Sequence, residues 1–254
     1  MNIIEENSTN KNNDSKFEFL EKNKEYIKKS LSHYYSNVIF LKCFKRIPLS
    51  RYESFNFILN HIQKNNNTNI LELGTTRSFV DGRFKGCNSN NTKFWNENEP
   101  EKWDWSAGMF TKIIGESFKS KKFKITTVDM CKDHLDRCNH ITKNLNNINF
   151  INSKSDDFLS NSDDTFDIIY IDTGDNLPVE ENGLMHLMEV HLIYERNLLN
   201  INGLVIFDDV KNPDIHNSGE NDPFGKYKYA IPYLLEKGYN IVFDEYQTIL
   251  HKYS

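Results

Sequence analysis

Five short apolar runs constrain this chain more than anything else in it. Asn69 to Leu73, Lys124 to Val128, Asn149 to Asn152, Asp167 to Ile171 and Gly203 to Phe207 each have the length of a buried strand, and several stop directly on an acidic residue or a glycine. Between them lie stretches with helical spacing, at about Ala107 to Phe118, His134 to Leu145 and Glu181 to Leu198. Strands alternating with helices predict an α/β fold, a Rossmann-like, doubly wound, mostly parallel sheet covered on both faces, with ligands outside the carboxyl ends of the strands. A helix at about Tyr227 to Lys237 leads into Tyr239 to Phe243 and Thr248 to Lys252, which read as a closing hairpin and bring the sheet to seven strands.

The first 64 residues have a different character. Residues 1–15 are rich in Asn, Glu and Ser and are expected to be disordered, while Lys16 to Tyr35 and Ser50 to Gln63 carry apolar residues at helical spacing. The division is therefore between an N-terminal helical extension, 1–64, and a domain spanning 65–254 on which the extension packs, or which it joins to a second copy as a homodimer. No run approaches the roughly 18 to 20 apolar residues that cross a bilayer, so no membrane partner is expected. Cys43, Cys87, Cys131 and Cys138 show no CxxC spacing, which suits reduced thiols in the cytoplasm. With 31 basic against 36 acidic residues and no basic stripe, a nucleic-acid partner is not expected either.

Chemistry gathers at the strand ends. The first strand runs into Glu72-Leu73-Gly74-Thr75-Thr76-Arg77-Ser78, where only Gly74 remains of the GxGxxG that a nicotinamide-dependent reductase requires. The second ends on Asp129, and the third leads into Ser153-Lys154-Ser155-Asp156. This order resembles class I S-adenosylmethionine (SAM) dependent methyltransferases. The resemblance implies that Glu72 and the turn Gly74, Thr75, Thr76, Ser78 hold the methionine part of SAM, that Asp129 accepts the ribose hydroxyls, and that Ser155 and Asp156 contact the adenine. Thr76 and Ser78 stand where further glycines are frequent.

The fourth strand ends in Asp172-Thr173-Gly174-Asp175 and the fifth in Asp208-Asp209. Neighbouring strands bring Asp172, Asp208 and Asp209 to one edge, and three carboxylates there repel one another unless a cation or proton is shared. The pattern resembles metal-dependent sugar O-methyltransferases of the macrocin O-methyltransferase type. That resemblance implies Mg²⁺ on Asp172, Asp208 and Asp209, with Asp172 also beside the cofactor and a sugar chelated through adjacent hydroxyls as acceptor. Asp175 is the candidate general base and His186 the alternative. A catechol-type O-methyltransferase and a catalytically silent SAM-binding or assembly module are the competing readings. The strand end Asp-Thr-Gly-Asp differs from the Asn/Asp-Pro-Pro-Tyr of base methylation.

An insertion at about 79–106 separates the first two strands. It holds all three tryptophans, Trp95, Trp103 and Trp105, with Arg83 inside it and Arg77 just before. A loop of this length in a compact domain is usually functional. The expectation is an ordered lid whose aromatic faces and arginines meet the acceptor. Lys211 to Gly225 is the candidate for the opposite wall.

Overall fold

The computed structural model describes residues 17–31, 50–65, 68–119, 122–212, 215 and 222–253. The expected disorder of 1–15, Cys43, the end of the first helix and much of the 211–225 wall lie outside them.

The strands are β1 (Thr68–Leu73), β2 (Phe123–Asp129), β3 (Ile148–Asn152), β4 (Phe166–Ile171), β5 (Leu199–Phe207), β6 (Asn240–Asp244) and β7 (Thr248–His251). They form one seven-stranded sheet in the order β3-β2-β1-β4-β5-β7-β6. β1 to β5 pair in parallel, and β7 is antiparallel to both β5 and β6, so the closing hairpin is present as expected. The order reverses between β1 and β4, the switch point where a crevice opens in such sheets. β5 begins earlier than the apolar pattern indicates. Phe166 pairs with Leu199 and Ile168 with Leu204, so the polar stretch around Asn202 bulges within the strand instead of preceding it.

Alternation divides each strand between two cores. Ile70, Ile125, Ile168, Tyr170 and Ile206 face one side, Leu71, Leu73, Ile169, Ile171 and Phe207 the other. The first side is covered by α1 (Glu18–Lys22), α2 (Lys24–Lys29), α3 (Tyr52–Lys64) and α4 (Phe110–Ser117). α5 (Lys132–Ile141) contributes Ile141 to that side. The second is covered by α6 (Ser155–Asn161), α7 (Val179–Glu195) and α8 (Ala230–Glu236). The described helices of the N-terminal extension thus pack on the chain's own sheet, and the first of its expected helices divides at Asn23, whose side chain folds back to donate to the Phe19 carbonyl at 2.9 Å. Among the described residues no helix is long and apolar enough to cross a membrane.

The insertion is ordered by its aromatics. Trp95 stacks on Trp103 at 4.4 Å between ring centroids, and Trp105 lies 5.1 Å from Trp103. Phe19 of α1 stacks on Trp103 at 6.4 Å, and Lys112 of α4 places its ammonium 5.7 Å from both Trp95 and Trp103. The indole nitrogens of Trp103 and Trp105 donate to the carbonyls of Asn96 and Pro100, both at 2.8 Å. All three tryptophans are buried in the core that includes α1 to α4.

Candidate active site

A cavity of about 590 Å³ opens at the carboxyl ends of β1, β2 and β4, within the size range of small-molecule sites. Thr75, Asp129, Met130, Ser155, Asp156 and Asp172 are among the residues lining it, with Arg77, Asp175 and Met185 also in its wall. Its shape depends on one turn. Gly74 adopts φ +82°, and a Cβ there would lie 2.2 Å from the Asp172 carbonyl oxygen, so only glycine lets the end of β1 pass this close to the end of β4. The turn is fastened to β2, where the Thr75 N–H donates to Asp129 Oδ2 at 3.0 Å. Asp129 Oδ1 accepts from the Cys131 N–H at 2.7 Å, and His134 Nδ1 lies 3.1 Å from Oδ2.

Of the residues expected at the cofactor, Thr75, Asp129, Ser155, Asp156 and Asp172 line this cavity, and Gly74 shapes it. Thr76 and Ser78 are buried behind it: Thr76 Oγ1 donates to the Gly108 carbonyl at 2.7 Å, and the Ser78 hydroxyl donates to Asp104. Glu72 is also absent from the wall. Strand alternation turns it, like Ile70, toward α4, where it accepts hydrogen bonds from the hydroxyls of Thr111, at 2.8 Å, and Thr127. Burial pushes its carboxyl up to about 7, against the pull of those hydroxyls. Sequence reasoning passed over Met130, a 70% exposed apolar side chain at the rim, directly after the acidic end of β2. Such a side chain offers an apolar plate to a purine.

The acidic edge is assembled as the strand ends imply. Asp172, Asp208 and Asp209 each present a carboxylate oxygen within 4.8 Å of the others. Asp209 follows β5 with φ +56°, a left-handed conformation that Asp tolerates better than most residues. A residue from outside the domain boundary drawn on sequence enters this edge. Arg51, directly before α3, donates from Nε to Asp208 Oδ1 and from Nη2 to Asp208 Oδ2, each at 2.8 Å, and from Nη2 to Asp209 Oδ1 at 2.5 Å. Gln247 Nε2 donates to Asp208 Oδ1 at 2.7 Å, and the Tyr246 hydroxyl donates to Asp209 Oδ1 at 2.5 Å. Burial disfavours the Arg51 charge, but Asp208 and Asp209 outweigh it and hold the guanidinium well above its ordinary pKa. Burial likewise acts against ionised Asp208, yet Arg51, Gln247 and Lys226 keep it below the usual carboxylate range. Asp172 differs. Burial, then the charges of Asp208 and Asp209, push its carboxyl well above that range, with Lys226 and Arg77 pulling back. Positive charge is short at the Asp172 end of the cluster.

Asp175 is exposed beside the cavity and pairs with Arg77 at 3.5 Å. His186 is fully buried on α7, 2.8 Å from Glu189 Oε2, and lies outside the cavity wall. Burial lowers its pKa, with Glu189 opposing. Arg83 points away and pairs with Asp81 at 3.0 Å, and Trp95, Trp103 and Trp105 belong to the core. The insertion expected as a lid is packed into the core, and Arg77 is the one residue of that substrate group lining the cavity.

No protein-family model and no curated protein matches the sequence. Solved structures do share its fold. The SAH-bound methyltransferase PaMTH1 of Podospora anserina superposes with a TM-score of 0.53 at 15% identity, covering 97% of this chain and 99% of that one. A Corynebacterium glutamicum protein gives 0.52 at 11%, covering 94% and 97%. Cofactor-bound Rv0187 from MTB gives 0.50 at 12%, covering 89% and 90%. The fold is that of the class I methyltransferases.

Proposed function

We propose that this chain is a SAM-dependent O-methyltransferase acting on a hydroxyl of a sugar, presented as a nucleotide-sugar, glycan or glycoside, with Mg²⁺ at the acidic edge. One observation carries the reading: Asp172 belongs both to the wall of the cavity anchored by Asp129 and to the carboxylate cluster with Asp208 and Asp209. SAM supplies a methyl group on a sulfonium, and an attacking oxygen takes it as the S–C bond breaks. Asp129, already oriented by the Thr75 and Cys131 N–H groups, is the acceptor for ribose hydroxyls. Met130, Ser155 and Asp156, all in the cavity wall, would hold the purine end.

The donor set fits a hard divalent cation on two of its three carboxylates. Mg²⁺ takes one or two carboxylates and fills its octahedron with water and substrate oxygens. Asp172 takes no side-chain hydrogen bond among the described residues, and the bonds to Asp209 fall on Oδ1, leaving Oδ2. A cation there would lower the pKa of an adjacent hydroxyl and relieve the charge crowding at Asp172. Asp208, with both oxygens taken by Arg51, serves in this state as the anchor of the guanidinium. Asp175 stands at the mouth to accept the proton the acceptor hydroxyl loses, paired with Arg77 at 3.5 Å.

The test is release of S-adenosylhomocysteine (SAH), followed by mass spectrometry. Purified protein is incubated with SAM and Mg²⁺ against panels of nucleotide-sugars, glycosides and catechols, with and without EDTA. EDTA-sensitive release with a sugar panel is expected. Release with catechols alone transfers the reading to that class, and SAH binding without turnover on any panel favours the silent module.

A further inference from the structure

Arg51 is the feature of the acidic edge that methyl transfer leaves unused. We propose that its guanidinium is an internal competitor for the divalent cation, so that metal loading of the Asp172, Asp208 and Asp209 cluster is limited by the docked start of α3. This rests on the metal reading of the site.

The argument is one of donor occupancy. A carboxylate oxygen offers about two lone-pair directions. Asp208 Oδ1 receives Arg51 Nε and Gln247 Nε2, and Oδ2 receives Nη2 at 2.8 Å and Nε at 3.1 Å. Asp209 Oδ1 receives Arg51 Nη2 and the Tyr246 hydroxyl. Asp208 therefore joins a coordination shell only by releasing the guanidinium. A cation confined to Asp172 and Asp209 Oδ2 meets a fixed positive charge already paired with Asp209 through Oδ1, which weakens its hold.

Arg51 is also seated firmly. Its side chain is 4% exposed, the guanidinium lies 4.9 Å from the Tyr246 ring centroid, and the Ser54 hydroxyl in the first turn of α3 donates to Gln247, the residue that also binds Asp208. Nη1 is buried with no hydrogen-bond partner among the described residues, so the guanidinium is held by the two acids and the aromatic face, without full satisfaction of its own donors. Release of Arg51 and unseating of the α3 start are one event, and that event opens a three-carboxylate site.

Mn²⁺ alone, titrated into the full chain and followed by electron paramagnetic resonance, is the probe. Arg51→Met and Arg51→Gln, which remove the charge, are expected to bind Mn²⁺ at least about tenfold more tightly than wild type, and Arg51→Lys to stay within about threefold of it. Saturating Mn²⁺ should raise the melting temperature of the two neutral variants more than that of wild type. Where Arg51→Met does not fold, Arg51→Gln, which keeps a donor for Asp208, carries the comparison. Unchanged or weaker Mn²⁺ binding by the neutral variants overturns the proposal while leaving the metal reading standing. Absence of binding by wild type and every variant overturns both.

Discussion

Arg51 and Asp208, separated by 157 positions in the chain, meet in a buried two-pronged contact at 2.8 Å on each prong. The contact joins the N-terminal extension to the end of β5, so the described part of the extension is a component of the site and more than a support for it. Removing the arginine alone leaves buried carboxylates without their counter-charge, the situation in which breaking an ion pair is most costly. Arg51→Ala is expected to lose about 3 to 5 kcal/mol in urea unfolding. Adding Asp208→Asn should recover about 1 kcal/mol or more of that loss, because the two residues share one network. Strict additivity of the two substitutions would show that they are not coupled.

Gly74 tests the crevice itself. Its φ of +82° and the 2.2 Å approach of a built Cβ to the Asp172 carbonyl leave no room for a side chain on either count. Gly74→Ala is expected to destabilise the fold by more than about 1 kcal/mol and to weaken SAH binding, since the same backbone presents Thr75 to Asp129. Wild-type SAH affinity in a folded Gly74→Ala protein would mean that this turn does not shape the cofactor site.

Much of this was legible in the sequence, for physical reasons. Parallel strands buried on both faces must be short and apolar, and their carboxyl ends converge, so Asp129, Asp172, Asp208 and Asp209 could be placed at one edge from strand boundaries alone. Glu72 was legible too, through a signal passed over: it shares strand parity with Ile70, and its partner in register on β2 is Thr127. Arg51 left no such trace. A lone arginine before a helix has no periodic partner, and a contact across 157 positions depends on how α3 seats against β7 and the end of β5. The tryptophans were legible as an ordering force, but not in direction, because an irregular loop has no alternation to say which side faces inward.

Glu72 gives the stability of the fold a pH dependence. Burial raises its carboxyl from an ordinary value of 4.5 to about 7 in the folded state. Between these two values the native protein binds more protons than the unfolded chain, so stability falls as pH rises through the window and stays reduced above it. The upper bound is roughly 3 kcal/mol from the size of the shift. Glu72→Gln cannot ionise, so its unfolding free energy should gain on wild type from pH 4.5 to pH 8, read from denaturant curves at each pH. Parallel pH profiles for the two proteins would show that Glu72 does not titrate in this range.

Asp129 carries the cofactor assignment. Its two oxygens already order the Thr75 and Cys131 N–H groups, so Asp129→Ala removes both the proposed ribose acceptor and the brace of the turn. Calorimetry should find SAH affinity at least about tenfold lower, the scale of one lost charged hydrogen bond. Affinity equal to wild type would remove Asp129 from the ribose role.

Trp103 separates a packed insertion from a sugar platform. Its ring lies 4.4 Å from Trp95, 5.1 Å from Trp105 and 6.4 Å from Phe19, and only 5% of the residue is exposed. Truncation here leaves a cavity between two rings of the insertion, Trp95 and Trp105, and Phe19 of α1. Trp103→Ala should therefore cost about 3 to 5 kcal/mol of stability. Because the ring lies outside the wall of the cavity, SAH affinity measured well below the lowered melting temperature should stay near wild type, and so should KM for whichever acceptor turns over. A stable Trp103→Ala protein with a raised acceptor KM would reverse the assignment and make the insertion a substrate platform after all.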